Sequence, residues 1–337
     1  MKKQINMIGH SGALASALDQ VSRLAGINRP VLVLGERGTG KELAAERLHY
    51  LSGRWDAPLL KVNCAAIADS LLESELFGHE AGAFTGATRT QRGRFERADG
   101  GSLFLDEVAT MSPRLQEKLL RLVEYGEFER LGGQQTLQVD VRVIAATNAN
   151  LQDLAARGLF RSDLLDRLSF DIVHLPALRQ RSEDIPELAQ HFAVQMCAEL
   201  GWDLFAGFSP AALAALVGHD WPGNVRELKN AVERSLYRWN NPLEPIGEIV
   251  LDPFRSPFAK EQPAPQLASE EFPEQPAVAA AGFSERMGRI ELQLLQEALA
   301  QHGDNQRRAA AALGLSYDQM RHLVRKHQLP RRRRRTQ

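Results

Sequence analysis

The sequence predicts an α/β fold: a parallel sheet flanked by helices, followed by a helical subdomain and a small all-helical C-terminal module. Three observations predict it. Apolar strand candidates alternate with helical patterns from about Asn6 to His174. A glycine-rich loop, Gly35-Glu36-Arg37-Gly38-Thr39-Gly40-Lys41-Glu42, lies directly between an apolar strand and a helix. Beyond Pro176 the strand pattern stops and helical periodicity takes over.

The strand candidates are 31–34, 59–62, 103–105, 141–146 and 170–175. The first, Val31 to Leu34, delivers the chain into the glycine loop, and Leu43 to Leu51 continues as a helix. Glycines let backbone N–H groups turn inward around phosphate oxygens, and the following helix N-terminus adds positive potential. Lys41 is placed to reach the β/γ-phosphates of a nucleotide. Glu42 stands where Ser or Thr usually contacts Mg²⁺. The strand Gly101-Ser102-Leu103-Phe104-Leu105 ends in Asp106-Glu107. Asp106 suits Mg²⁺ at a strand tip, and Glu107 suits polarising an attacking water. The strand Val141 to Ala146 ends in Thr147-Asn148. Asn148 reads either as a γ-phosphate sensor or as a cap or turn residue. Between these lies Gly82-Ala83-Phe84-Thr85-Gly86-Ala87, uncharged, with two glycines and a lone aromatic. Phe84 is either exposed or a plug in the core, and residue type alone favours the plug.

From 176 to 254 the chain reads as a helical subdomain, with helices over 184–200 and 210–218. The turn Trp221-Pro222-Gly223-Asn224 opens another, with Asn224 as its expected cap. Residues 255–283 hold five prolines and read as a semi-extended linker. In the module that follows, 284–330, Met287, Ile290, Leu294 and Ala298 fall on one helical face. Asn305 to Leu313 is a short helix broken by Gly314, and Ser316-Tyr317-Asp318-Gln319 is a capping box. The helix it opens turns Met320, Leu323 and Val324 inward, leaving Tyr317, Gln319, Arg321, His322, Arg325 and Lys326 for other faces. Two short helices about a glycine turn describe a helix-turn-helix or a plain helical hairpin, and charge separates the two readings. Residues 284–337 carry 12 Lys+Arg against 5 Asp+Glu, or +7, while the rest carries 29 against 37, or −8. An acidic body with a basic end points that end toward DNA, with the tail 331–337 as an electrostatic aid.

The 337 residues are enough for two or three domains. Cys64 and Cys197 fit no motif spacing and are expected to be reduced thiols in a cytoplasm. No apolar run is long enough to insert in a membrane.

With these motifs in view the chain resembles the AAA+ activators of sigma-54 RNA polymerase. The resemblance rests on residues 35–42, Glu75-Leu76-Phe77-Gly78-His79-Glu80, residues 82–87, residues 101–107, Phe160-Arg161-Ser162-Asp163-Leu164-Leu165-Asp166-Arg167-Leu168 and Trp221-Pro222-Gly223-Asn224-Val225-Arg226-Glu227-Leu228. The C-terminal module resembles the Fis-type helix-turn-helix. The resemblance implies an AAA+ ATPase subdomain over 1–175 and a lid over 176–254. It implies that ATP and Mg²⁺ are bound, that Glu42 is ordinary at its position, and that Gly82 to Ala87 grip sigma-54. Arg161 and Arg167 would be arginine fingers reaching a neighbouring subunit's nucleotide in a homo-oligomeric ring, expected to be a hexamer. Arg226 would be the lid's nucleotide sensor, and Asn63 would switch Glu107 on sigma contact. Ser316 joins the recognition-helix residues as a DNA contact, with enhancer double-stranded DNA as the ligand. Most members carry an N-terminal sensory domain, whereas here the ATPase begins within about the first ten residues, so control is expected in trans, from a PspA-like inhibitory protein. A remodelling chaperone and a nucleotide-locked repressor are the competing classes. Residues 82–87 argue against the first, and the intact Asp106-Glu107 pair against the second.

Overall fold

The computed structural model describes residues 7–254, 283–302, 305–327 and 329, in two compact units that divide between Phe254 and Arg255. The expected linker as far as residue 282, the tail 331–337 and the side chain of Ile290 lie outside the described residues.

In the first unit, α1 (Gly12–Ala25), β1 (Val31–Leu34), α2 (Lys41–Tyr50), β2 (Leu59–Asn63), α3 (Asp69–Phe77), α4 (Arg94–Arg97) and β3 (Ser102–Asp106) come first. Next come α5 (Pro113–Tyr125), β4 (Glu127–Glu129), β5 (Thr136–Gln138), β6 (Arg142–Thr147), α6 (Leu151–Ala156), α7 (Ser162–Leu168) and β7 (Ile172–His174). Five strands form one parallel sheet in the order β2-β3-β6-β1-β7. The three inner strands are apolar almost throughout, as strands covered on both faces must be. Their side chains alternate between two cores. Leu32, Leu103, Leu105, Val143 and Ala145 pack under α3 to α7. Val31, Val33, Phe104, Ile144 and Ala146 pack under α1 and α2. The β4–β5 hairpin was not legible in the sequence: Glu-Phe-Glu and Thr-Leu-Gln give one apolar residue per strand.

Register positions the site. Asn63 pairs with Asp106, Asp106 with Ala146, and Leu34 with Thr147 and His174. The C-terminal tips therefore share one edge of the sheet, with the glycine loop springing from its middle.

The helical part comprises α8 (Ile185–Leu200), α9 (Pro210–Gly218) and α10 (Asn224–Trp239) around the fully buried Trp221, whose indole N–H donates to the Leu216 carbonyl at 2.7 Å. Asn224 is not the cap of α10. Gly223 holds that position, and its N–H is met by the Glu227 carboxylate at 2.7 Å. Asn224 is itself left-handed at φ 54°, with its side chain turned away from the helix it begins.

The second unit contains α11 (Phe283–Gln301), α12 (Gln306–Ala312) and α13 (Tyr317–Lys326). Its core is Leu295, Ala298, Ala309, Ala310, Met320 and Val324. The inward face of α11 thus runs through Leu295 and Ala298, while Met287 and Leu294 are each 49% exposed. With leucine at both 294 and 295, helical spacing admits two faces, and packing selects the second. Asn305 caps α12, Gly314 turns at φ 67°, and the Ser316–Gln319 capping box closes in both directions. Among the described residues, no helix is long and apolar enough to cross a membrane.

One buried charge ties α1 to the sheet. The Arg142 guanidinium, at the start of β6, donates to the carbonyls of Leu24 (2.7 Å), Ala25 (3.0 Å) and Arg29 (3.2 Å), at and just beyond the electronegative end of α1. Burial holds its pKa below the usual arginine range. Arg142→Met keeps the volume but removes all three donors, and should cost about 2–4 kcal/mol in chemical denaturation. A change within about 0.5 kcal/mol, as at an ordinary surface site, would contradict this role.

Candidate functional site

β1 ends at Leu34, and the loop 35–40 turns on Gly38 (φ 79°) and Gly40 (φ 104°), conformations that L side chains rarely adopt. Gly40 opens α2, so Lys41 is its first residue. The Lys41 ammonium is nearly buried and donates to the carbonyls of Gly35 (3.0 Å) and Glu36 (3.3 Å). Burial lowers its pKa, and Glu107 and Asp106 oppose that shift. Thr39 Oγ1 also donates to the Glu36 carbonyl, at 2.9 Å. Glu42 turns outward to Lys61 at 2.7 Å, and Lys61 also pairs with Glu46.

Asp106 closes β3, and its neighbour Glu107 is held left-handed at φ 54°. A non-glycine residue kept there marks a tip that its surroundings over-determine. The Glu107 N–H donates to Asp106 Oδ1 at 3.1 Å. Burial raises the Asp106 pKa, Lys41 opposes it and Glu107 adds to it. Asn63 faces Asp106, not Glu107: its Nδ2 lies 3.5 Å from Asp106 Oδ2, while its Oδ1 accepts from the Ala65 N–H.

Residues 37–42, Asn63, Asp106, Glu107 and Arg226 line one cavity of about 760 Å³. Met7, Ile8, Leu43, Leu188, Phe192 and Val225 add an apolar share to the lining, alongside Arg181, Lys229 and Asn230. Phosphate-loop groups and apolar side chains in one cavity suit a ligand with a polyphosphate and a base. Sequence reasoning missed the apolar share, because Met7 and Ile8 belong to no periodic pattern. They are brought there by a buried carboxylate. Asp184, just before α8, accepts from the His10 N–H (2.8 Å), the Ser11 N–H (2.8 Å) and the Ser11 hydroxyl (2.6 Å).

Of the residues expected at the nucleotide, Gly35, Glu36, Asn148, Arg161 and Arg167 stand outside this cavity. Asn148 is exposed and lines a separate cavity with Gly35, Glu36 and His174. Arg161 pairs with Asp163 at 2.7 Å and Arg167 with Glu124 at 2.6 Å, both on the surface and outside the nucleotide cavity.

The 82–87 loop closes on itself. The Gly82 N–H donates to the Ala87 carbonyl at 2.7 Å and the Ala87 N–H to the Phe84 carbonyl at 3.0 Å. Gly82 and Gly86 turn at φ 82° and 102°, and Ala83 packs against Gly132. Phe84 does not plug the core: it is 43% exposed, its ring edge-on to His79 at 4.9 Å. Thr85 is exposed. Beneath the loop, Arg130 bridges Glu80 (2.7 Å) and Glu96 (2.6 Å).

In the C-terminal unit, Ser316 and Gln319 bond each other's backbone N–H, so both are engaged in the cap. Tyr317 lies between the guanidinium groups of Arg307 (5.2 Å) and Arg321 (5.9 Å). Lys326 is bound to Glu291, whereas Arg321, His322 and Arg325 are exposed on α13 with no ion pair among the described residues.

Two domain families match this chain in tandem: the Sigma-54 interaction domain over residues 7–174 and the AAA+ ATPase lid domain over 179–252. The chain belongs to the sigma-54-dependent AAA+ activators. It is an AAA+ ATPase of the class that activates transcription through sigma-54. Within that class it is similar to the Psp operon transcriptional activator of Escherichia coli K12, at 52% identity over 324 residues, or 96% of this chain and 98% of that one. The Nif-specific regulatory protein of Azotobacter vinelandii is 51% identical over 229 residues, covering 68% of this chain and 44% of that one. The crystal structure of NtrX from Brucella abortus in complex with ATP matches with a TM-score of 0.69 at 32% identity, over 96% of this chain and 70% of that one.

Because Phe84 is exposed and lies outside the buried core clusters, Phe84→Ala should change the unfolding free energy by less than about 1 kcal/mol, against about 3–5 for a core phenylalanine. Denaturant titration decides between the two.

Proposed function

We propose that this chain binds an upstream enhancer through its C-terminal helix-turn-helix, assembles as a homo-oligomeric ring, and uses ATP turnover to remodel sigma-54 polymerase from closed to open promoter complex. The observation that carries the reading is the pairing, in one unit, of a nucleotide cavity with an exposed, self-closed loop at Gly82–Ala87. A loop built to stand out, with Phe84 and Thr85 at the surface, suits a contact made with a partner.

In this reading Lys41 moves from the Gly35 and Glu36 carbonyls to the β/γ-phosphates, and Glu107 polarises the attacking water. The donor set fits Mg²⁺: Asp106 offers a partly buried hard carboxylate oxygen at the strand tip, beside Glu107, and Mg²⁺ takes such a ligand together with waters and substrate phosphates. Held by Asp106, Mg²⁺ would neutralise charge developing on the phosphoryl oxygens. Arg226 reaches the nucleotide from the lid. The surface positions of Arg161 and Arg167, outside their own cavity, suit action on a neighbour's nucleotide. Asn63, next to Asp106, is placed to relay sigma contact to the carboxylate pair. Asn148, just beyond β6 and sharing a cavity with Gly35 and Glu36 of the loop, would sense the γ-phosphate. On the recognition helix, Arg321, His322 and Arg325 are the bases' contacts, and Tyr317 steadies Arg321.

Similarity to a Psp operon activator supports a phage-shock operon as the target and a PspA-like protein as the inhibitor in trans. Leu51 and Trp55, both exposed after α2, offer that inhibitor an apolar surface.

Glu107→Gln should bind ATP with near-normal affinity and lose on the order of 10²-fold or more in phosphate release. Turnover close to wild type would remove Glu107 from its role. Thr85→Ala should melt as wild type, bind enhancer DNA and hydrolyse ATP, yet fail to open a sigma-54 promoter in a permanganate footprint. Full promoter opening by this variant would refute the loop's assignment.

A further inference from the structure

Three successive carbonyls of the glycine loop each take a hydrogen bond from the lid. Asn224 Nδ2 donates to Arg37 O at 3.0 Å, the Val225 N–H to Gly38 O at 3.1 Å, and Arg181 Nη2 to Thr39 O at 3.2 Å. A trans peptide turns its N–H opposite to its C=O. Holding these carbonyls on the lid side therefore turns the next N–H groups, those of Gly38, Thr39 and Gly40, to the other side, where the Thr39 N–H makes a long bond to the Glu36 carbonyl at 3.4 Å. The contact is tight: a Cβ on Gly38 would lie 2.2 Å from the Gly223 carbonyl.

Asn224 is the centre of this junction. It is fully buried and left-handed, a conformation asparagine tolerates better than most residues. Its Oδ1 accepts from the Leu178 N–H at 2.7 Å, at the start of the lid, and its Nδ2 also donates to the Glu36 carboxylate at 3.0 Å. Arg179 clamps the same carboxylate with both terminal nitrogens, at 2.9 and 2.5 Å. These partners, Arg179 first and then Asn224, hold the Glu36 pKa down to about 2, so the carboxylate stays ionised at working pH.

We infer that the lid orients the peptide planes of the phosphate loop, and that Asn224 is the positioning residue through which it does so. The inference rests on the nucleotide-site reading and extends it, because it makes phosphate affinity a property of the lid turn as well as of the loop. Arg226, next to Val225, would then be aligned on the nucleotide by the same bonds.

Asn224→Asp in the full chain is the test. It keeps the left-handed backbone and the acceptor for Leu178, but loses the Nδ2 donor and sets a carboxylate against Glu36. ATP and ADP should bind about tenfold more weakly or worse. Inorganic tripolyphosphate, measured by competition, should lose as much as ATP does, because the defect lies at the phosphates and not at the base. KM should rise with kcat little changed. Adding Glu36→Gln, whose amide can donate to the new carboxylate, should recover a large part of the lost affinity, which a general packing defect would not allow. Unchanged ATP affinity in Asn224→Asp, or a loss that tracks the folded fraction and is not recovered by Glu36→Gln, overturns the inference alone. Failure of the wild-type chain to bind ATP would overturn the nucleotide reading, and the inference with it.

Discussion

The lateral register of the parallel sheet is the constraint on which the rest depends. Strand tips from β2, β3, β6 and β1 come level at one edge, so a carboxylate pair, an amide and a glycine loop, distant in sequence, meet without any loop having to reach for them. Ladder hydrogen bonds fix that alignment, and a slip of one residue would turn Leu103, Leu105, Val143 and Ala145 to the opposite face. The cores on both faces therefore protect the chemistry at the edge. The charges there sit in competition: Asp106 is raised by burial while the Lys41 beside it is lowered, as expected of a pair that shares a partly dry pocket.

Much of this was legible in the sequence, because the inner strands are unbroken apolar runs and the glycine loop has a fixed spacing. What escaped did so for definite reasons. The β4–β5 hairpin has strands too short and too polar to announce themselves. Asn224 was expected to cap α10, since asparagine before a helix commonly does. Its side chain instead faces Leu178 and Glu36, partners 46 and 188 residues away, which no local rule can see. Phe84 defied the expectation that an aromatic among small residues is buried, because the loop closes through its own backbone and needs no core beneath it. In α11 the Leu294-Leu295 pair left the inward face ambiguous until packing was known.

The surface loop and the cavity are joined by ordinary structure. β3 ends in the carboxylates, and α3 ends at Gly78, whose carbonyl accepts from Leu131 beside the 82–87 loop. Arg130 spans Glu80 and Glu96 at the loop's base, so that movement of this segment must either carry the ion-pair network with it or break it.

The Asp184 contacts carry a different kind of consequence. His10 and Asp184 are 174 residues apart in sequence, yet bonded. The whole α/β part is thus a closed loop whose two ends are knotted together by one carboxylate on the lid side. Closing so long a loop is entropically slow, though each further residue adds little to the cost. During synthesis Met7 can pack against the core under α1 and α2, and Ser11 can cap α1, before the Asp184 carboxylate that bonds His10 and Ser11 has been made. The share of the cavity lining that Leu188, Phe192 and Val225 supply is made later still, so the nascent chain can acquire its sheet before it has a finished nucleotide pocket.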